Sequence, residues 1–120
     1  MNKELYREKI GQTIKDVLFT DNEIIFNKEI GQIKIGQNHD QDCCENVYAD
    51  FEQIKYYIKE ISSKKVEEMI IKSVDGMGFI IELWFDYGNG EKIFIPCYNY
   101  QNGYYSSNLE LIIETDKKQQ

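Results

Sequence analysis

Phe79-Ile80-Ile81-Glu82-Leu83-Trp84-Phe85-Asp86-Tyr87, then Gly88-Asn89-Gly90, then Glu91-Lys92-Ile93-Phe94-Ile95-Pro96-Cys97, is the stretch that decides the fold. Side chains alternate across a strand, so Phe79, Ile81, Leu83, Phe85 and Tyr87 share one face. Glu82 and Asp86 lie on the other face with Ile80 and Trp84, which makes that face only partly wet. Gly88-Asn89-Gly90 supplies residues that tolerate positive φ, as a tight hairpin needs. Strands flank it on both sides, so it reads as a hairpin and not as a phosphate cradle, which requires a following helix. Asn89 is then presented at a hairpin tip.

The same two-residue period extends in both directions. Val66–Val74 and Tyr104–Ile113 read as strands, with turn chemistry in Asp75-Gly76-Met77-Gly78 and Asn99-Tyr100-Gln101-Asn102-Gly103. The second half therefore predicts a four-stranded meander. Upstream, Thr13–Phe19 is a strand, Thr20-Asp21-Asn22 a turn, and Glu23–Phe26 the hairpin partner. Ile33-Lys34-Ile35 is a third short strand between Gly31 and Gly36. Between the halves the period changes: Phe51, Ile54, Tyr57, Ile58 and Ile61 form the stripe of an amphipathic helix. Asp50 suits its N-cap, and Ser62-Ser63-Lys64-Lys65 ends it. The expectation is an α+β fold: an antiparallel β-sheet of about six or seven strands with one amphipathic helix packed on it. Residues 1–120 form a single domain, with 1–10 as an N-terminal arm and 116–120 as a frayed tail.

Composition narrows the function classes. The chain has 120 residues, 42% apolar and 29% charged, enough for one core and a solvated exterior. Its net charge of −7 and single arginine, Arg7, argue against direct nucleic-acid binding, which wants a basic patch. Met1 to Glu8 has no apolar leader, and no stretch approaches the roughly 20 apolar residues of a membrane span. A cytoplasmic protein with no membrane contact is expected. Three cysteines, two of them adjacent, do not form a disulfide framework.

The densest chemistry lies in His39-Asp40-Gln41-Asp42-Cys43-Cys44-Glu45, which holds the only histidine and two of the three cysteines. It has neither period and reads as a loop. His39, Cys43, Cys44 and Cys97 assemble a zinc set on paper. Adjacent cysteines in extended backbone point to opposite faces, however, and the C-x-x-C spacing is absent, so no metal and no cofactor are expected. A Cys–His nucleophile pair is the other reactive reading, with Asp40 or Asp42 orienting His39. No oxyanion hole is evident, and a non-enzyme is expected. The second concentration is aromatic. Phe94, Tyr98, Tyr100, Tyr104 and Tyr105 are interleaved with Asn99, Gln101, Asn102 and Asn108. Planar rings beside amides suit a stacked, hydrogen-bonded base, a protein interface, or simple sheet packing.

The run His39–Glu45, with Val47-Tyr48 after it and Asn102-Gly103-Tyr104-Tyr105-Ser106 later, resembles a family of small phage and prophage proteins catalogued as a domain of unknown function. The likeness spans Gly11 to Glu114. It implies a phage or prophage accessory protein acting in the host bacterial cytoplasm. Such proteins often inhibit bacterial immunity by blocking an effector or by sequestering a nucleotide signal. In size, in its excess of Lys, Ile, Asn, Glu and Tyr, and in its second-half aromatic and Asn positions, the chain is also similar to the Thoeris anti-defence sponges of clostridial prophages. It departs from them in offering only Arg7 where a pyrophosphate would want arginines.

Together these readings favour a non-catalytic counter-defence protein suited to capture: a homo-oligomer binding a cyclic ADP-ribose-like signal. Phe79, Tyr104 and Tyr105 are the expected stacking residues, Asn89, Asn99 and Asn102 the hydrogen-bonding ones, and His39 and Gln41 a second wall. The alternative is an acidic, anti-CRISPR-like blocker of a host immune effector, acting through Asp40, Asp42, Glu45, Asp50 and Glu52. A small metal-binding protein or Cys-dependent enzyme is the third reading.

Overall fold

A computed structural model describes residues 2–37, 47–74, 77–85, 90–99 and 111–115. Its spine is β1, Asn2–Phe19, a strand long enough to belong to two ladders. From Asn2 to Thr13 it pairs antiparallel with β5, Lys65–Val74. From Ile14 to Phe19 it pairs antiparallel with β2, Glu23–Lys28. The register shifts at Glu4/Tyr6, Lys9/Gln12 and Ile14/Asp16, and such irregularities bend and coil a strand. Gly11 lies within the second, with a φ of 64° that a side chain would resist.

The expected N-terminal arm is thereby corrected. Asn2 to Lys9 is strand, bonded to β5. Apart from Leu5 its exposed positions are charged, and its bulges interrupt the two-residue period, so the alternation of half-buried Tyr6, Glu8 and Ile10 does not stand out in the sequence.

The remaining strands are β3 (Gln32–Gln37), β4 (Val47–Ala49), β6 (Gly78–Phe85), β7 (Gly90–Asn99) and β8 (Leu111–Thr115). All pair antiparallel, in the order β4-β7-β6-β5-β1-β2-β3-β8. The α+β class holds, with eight strands among the described residues rather than six or seven. The additional strand is β4, three residues long and too short to show a period. β5, β6 and β7 form the expected meander, but β8 does not continue it. It crosses to the far edge and pairs with β3, where Ile113 lies opposite Ile35 and Thr115 opposite Ile33. Residues 104–110 of the expected last strand, and the tail from 116, lie outside the described residues.

The predicted helix is two short pieces: a 3-10 helix over Phe51–Tyr56 and α1 over Ile58–Ile61. The spacing explains the break. Phe51, Ile54 and Tyr57 recur every three residues, the 3-10 repeat, whereas Ile54 to Ile58 and Tyr57 to Ile61 recur every four. Asp50 occupies the N-cap position without a capping bond, and its Oδ2 accepts instead from Gln53 Nε2 at 3.1 Å. Both pieces plug one core. Ile14, Val17, Ile24, Phe26, Ile33 and Ile35 come from one part of the bent sheet, and Val66, Met69, Ile71, Phe79, Ile81, Leu83, Ile93 and Ile95 from the other. Phe51, Ile54 and Ile61 lie buried among them. Each large apolar side chain removed from water contributes about 1.5–3 kcal/mol. After α1, Ser63 N–H donates to Ile14 O at 2.8 Å and Ile14 N–H to Lys64 O at 3.0 Å, which ties the helix exit to the middle of β1. Among the described residues no helix is long and apolar enough to cross a membrane.

Two glycines differ in what they require. Gly78 has a φ of 147°, and a Cβ there would lie 2.3 Å from Ile95 O of β7. Gly11 is left-handed but open, with nothing within 4 Å of a Cβ. Gly78→Ala is expected to lower stability by about 3 kcal/mol or more, and Gly11→Ala by only about 1–2 kcal/mol, in urea denaturation.

Candidate functional site

One end of the sheet gathers four chain positions. Gln37 ends β3 opposite Leu111, which begins β8. Val47 begins β4 opposite Asn99, which ends β7. The segment 38–46 therefore leaves at Gln37 and returns at Val47, and the segment 100–110 leaves at Asn99 and returns at Leu111. The two motif-bearing segments are tethered to the same end of the molecule by these two strand pairs.

The Gln37 carboxamide joins the pairs to one another. The side chain is 8% exposed. Its Nε2 donates to Ala49 O at 3.0 Å and to Asp21 O at 2.9 Å, and its Oε1 accepts from Ala49 N–H at 2.7 Å. It thus imitates a neighbouring strand, bonding both backbone groups of Ala49. Its own backbone N–H donates to Asn22 O at 3.2 Å. The β1–β2 turn, β3 and β4 are held together by this one residue. The turn itself behaves as expected from Thr20-Asp21-Asn22, with Asn22 N–H donating to Thr20 Oγ1 at 3.1 Å.

Two tyrosines face outward on the β4–β7 pair. Tyr48 and Tyr98 are direct cross-strand partners, their ring centroids 5.5 Å apart and tilted by 42°. Such a ring pair contributes about 0.5–1.5 kcal/mol beyond its buried area. Tyr98 is 38% exposed. Inward of it lies Cys97, opposite Ala49, a half-buried free thiol. Burial pushes its pKa up to about 11, so the thiol is protonated at neutral pH. That is the opposite of what a nucleophile or a metal ligand needs.

The sequence-derived residues divide accordingly. Phe79 is corrected: it is a core residue, 1% exposed, its ring packed edge-on against Phe51 at 6.2 Å between centroids. The alternation that made it conspicuous is that of the buried face, so its ring is not offered to a ligand. Asn99 lies at the end of β7, with its backbone paired to Val47. His39, Gln41, Asn89, Asn102, Tyr104 and Tyr105 lie outside the described residues, as do Cys43, Cys44, Asp40, Asp42 and Glu45. Of the acidic group, Glu52 is ion-paired to Lys55 at 2.7 Å. Sequence reasoning missed Gln37 and Tyr48. A glutamine closing an apolar strand, Ile33-Lys34-Ile35-Gly36-Gln37, on its inward register was the available signal for the first.

The outer face of β5, β6 and β7, opposite the core, carries a second polar arrangement. Glu82 is only 5% exposed, its carboxylate 3.3 Å from Lys72 Nζ and 3.3 Å from Trp84 Nε1, which donates to it. The Trp84 ring lies across β7 at Gly90, where a Cβ would meet it at 3.1 Å. A shallow groove of about 260 Å³ on another part of the sheet is lined by Asn22, Glu23, Lys34, Gly36, Gln37, Ile112 and Glu114. Lys34 there sits 3.7 Å from each of Glu23 and Glu114, so its charge is already matched. Comparison of the chain with protein-family models, with curated proteins and with solved structures finds no match in any of the three.

Two expectations follow from these contacts. Gln37→Leu strips the Ala49 N–H and the Ala49 and Asp21 carbonyls of a buried partner, and should cost about 3 kcal/mol in chemical denaturation. At pH 8, alkylation of Cys97 should be roughly 100-fold slower in the native chain than in urea, reflecting two pKa units of lost thiolate. The same shift has a sign for stability: the folded thiol holds its proton to higher pH than the unfolded one, so its contribution is complete below about pH 9 and is lost as pH rises towards 11.

Proposed function

We propose that the protein is a non-catalytic phage or prophage counter-defence protein that captures a nucleotide-derived immune signal of the cyclic ADP-ribose type. One observation carries the reading: the Tyr48–Tyr98 pair stands at the sheet end from which both motif-bearing segments depart. Stacking on exposed rings contributes about 1–3 kcal/mol per base and tolerates different bases. The amide-rich sequence around Asn99 and Asn102 is suited to directional bonds with a base edge or ribose. The face that carries the two tyrosines also carries the exposed Lys92, which eases the approach of an anion to an otherwise acidic chain. The raised pKa of Cys97 supports binding over thiol chemistry at this end.

The test is ligand capture. Native mass spectrometry of protein purified from cells producing the signal should show a retained nucleotide. Tyr98→Ala and Tyr104→Ala should each weaken capture by about 5- to 150-fold, since each removes one stack. Reversing Asp40 and Asp42 to Lys should spare capture or improve it. If those reversals abolish counter-defence activity while the tyrosine variants leave it untouched, capture is the wrong mechanism and an acidic effector blocker replaces it.

A further inference from the structure

The outer face of the β1–β5–β6–β7 sheet is built like an interface. Cross-strand pairing sets Phe94 beside Ile80, Ile80 beside Lys72, Ile70 beside Glu82 and Glu82 beside Lys92. With Trp84 these residues form an apolar, aromatic centre. Phe94 is 37% exposed, whereas Ile70 is buried beneath its neighbours. Around and within that centre the ion pairs are already made. Lys72 meets Glu82, and Arg7 of β1 meets both Glu4 at 2.9 Å and Glu68 at 3.1 Å. The hydrogen bond from Arg7 holds the Glu4 carboxyl below its ordinary pKa, so the pair stays charged in neutral solution.

Charge identifies the occupant. The chain carries −7 overall, yet this face presents four basic side chains (Arg7, Lys9, Lys72 and Lys92) against three acidic ones (Glu4, Glu68 and Glu82). The excess negative charge therefore lies elsewhere on the molecule. Two copies of so acidic a chain repel each other on most approaches, and this near-neutral face is where they meet with least repulsion. Aromatic side chains interleaved with charges that are already paired suit an association surface, and sheets stack face to face at about 10 Å. We infer that the protein forms a twofold homodimer through this outer face, with Phe94, Ile80 and Trp84 of one copy packed on the same residues of its partner. The inference does not rest on the ligand reading, since the dimer needs no nucleotide to form.

Trp84 is the only tryptophan in the chain and lies on the proposed face, so it reports directly on its coverage. Sedimentation at micromolar concentrations should give a dimer, and dilution should red-shift the Trp84 emission in step with dissociation. Phe94→Glu should raise the dimer dissociation constant by about 30-fold or more, as expected for a residue at the centre of an interface. Lys92→Glu, a change at an exposed position, should weaken the dimer if Phe94→Glu fails to fold. A monomer across this range, a dimer whose dissociation leaves Trp84 emission unchanged, or a dimer indifferent to folded variants at both positions would each overturn the inference. Nucleotide retention by a monomer would overturn it while leaving the capture reading standing.

Discussion

One strand belongs to two ladders, and the rest of the structure follows from that constraint. β1 is bonded to β5 over its first part and to β2 over its last. A flat strand shared in this way would spread the sheet and leave its apolar face to water. The three register shifts along β1 let it coil, so residues from both ladders enter one core. Ile14 sits where the ladders change over. Its side chain is buried, its N–H and carbonyl are bonded to Lys64 and Ser63, and it thus fixes the helix exit against the bend. The short helical pieces fill the space that the bend creates.

Bending also determines where chemistry can collect. It carries β3 towards β4, which belongs to the opposite edge of the sheet order, and Gln37 bridges the gap. An apolar residue there would leave the Ala49 backbone groups unpaired, whereas a primary carboxamide presents the donor and acceptor of a peptide on a short stem. The result is a rigid base for two segments that together hold most of the unusual residues of the chain. Tyr48 and Tyr98 are ordered by strand pairing rather than by a loop.

Much of this architecture was legible, and the gaps have physical causes. The readings of Val66–Val74, Phe79–Tyr87 and Glu91–Cys97 as strands match β5, β6 and β7 over the described residues, because side-chain alternation and turn residues agreed. The ladder of Asn2–Lys9 was hidden because bulges shift the period and its exposed positions, Leu5 apart, carry charge. The destination of β8 was hidden because Leu111-Ile112-Ile113 pairs as well with one edge as another, and only the bend determines which edge is within reach. For the candidate site, the sequence singled out the His39–Glu45 run and the aromatic stretch after Asn99, which lie outside the described residues, but not the anchors that bring the ends of these segments together. Those anchors are a backbone pairing, Val47 with Asn99, and a glutamine whose role exists only in three dimensions. Phe79 misled for the converse reason: an aromatic on a strand looks the same whether its face is buried or wet.

Gln37 and Glu82 are the buried polar side chains among the described residues, and they answer the cost of burial differently. Gln37 is neutral and spends its hydrogen bonds on backbone, so its burial is nearly balanced and a hydrophobic replacement gains nothing. Glu82 is charged. Its Lys72 and Trp84 partners offset a desolvation cost that a leucine at the same position would not incur, so the pair is weak evidence for stability. What both residues supply is register. A slip of one residue in β3 would turn Gln37 outward and drive Gly36 into the core, and a slip in β6 would bury Glu82 among Phe51, Ile71 and Ile93. β6 is apolar on both faces and would otherwise tolerate either register. A single carboxylate on its outer side, matched to a lysine on the next strand, therefore determines which apolar set faces the core and which is left to the surface.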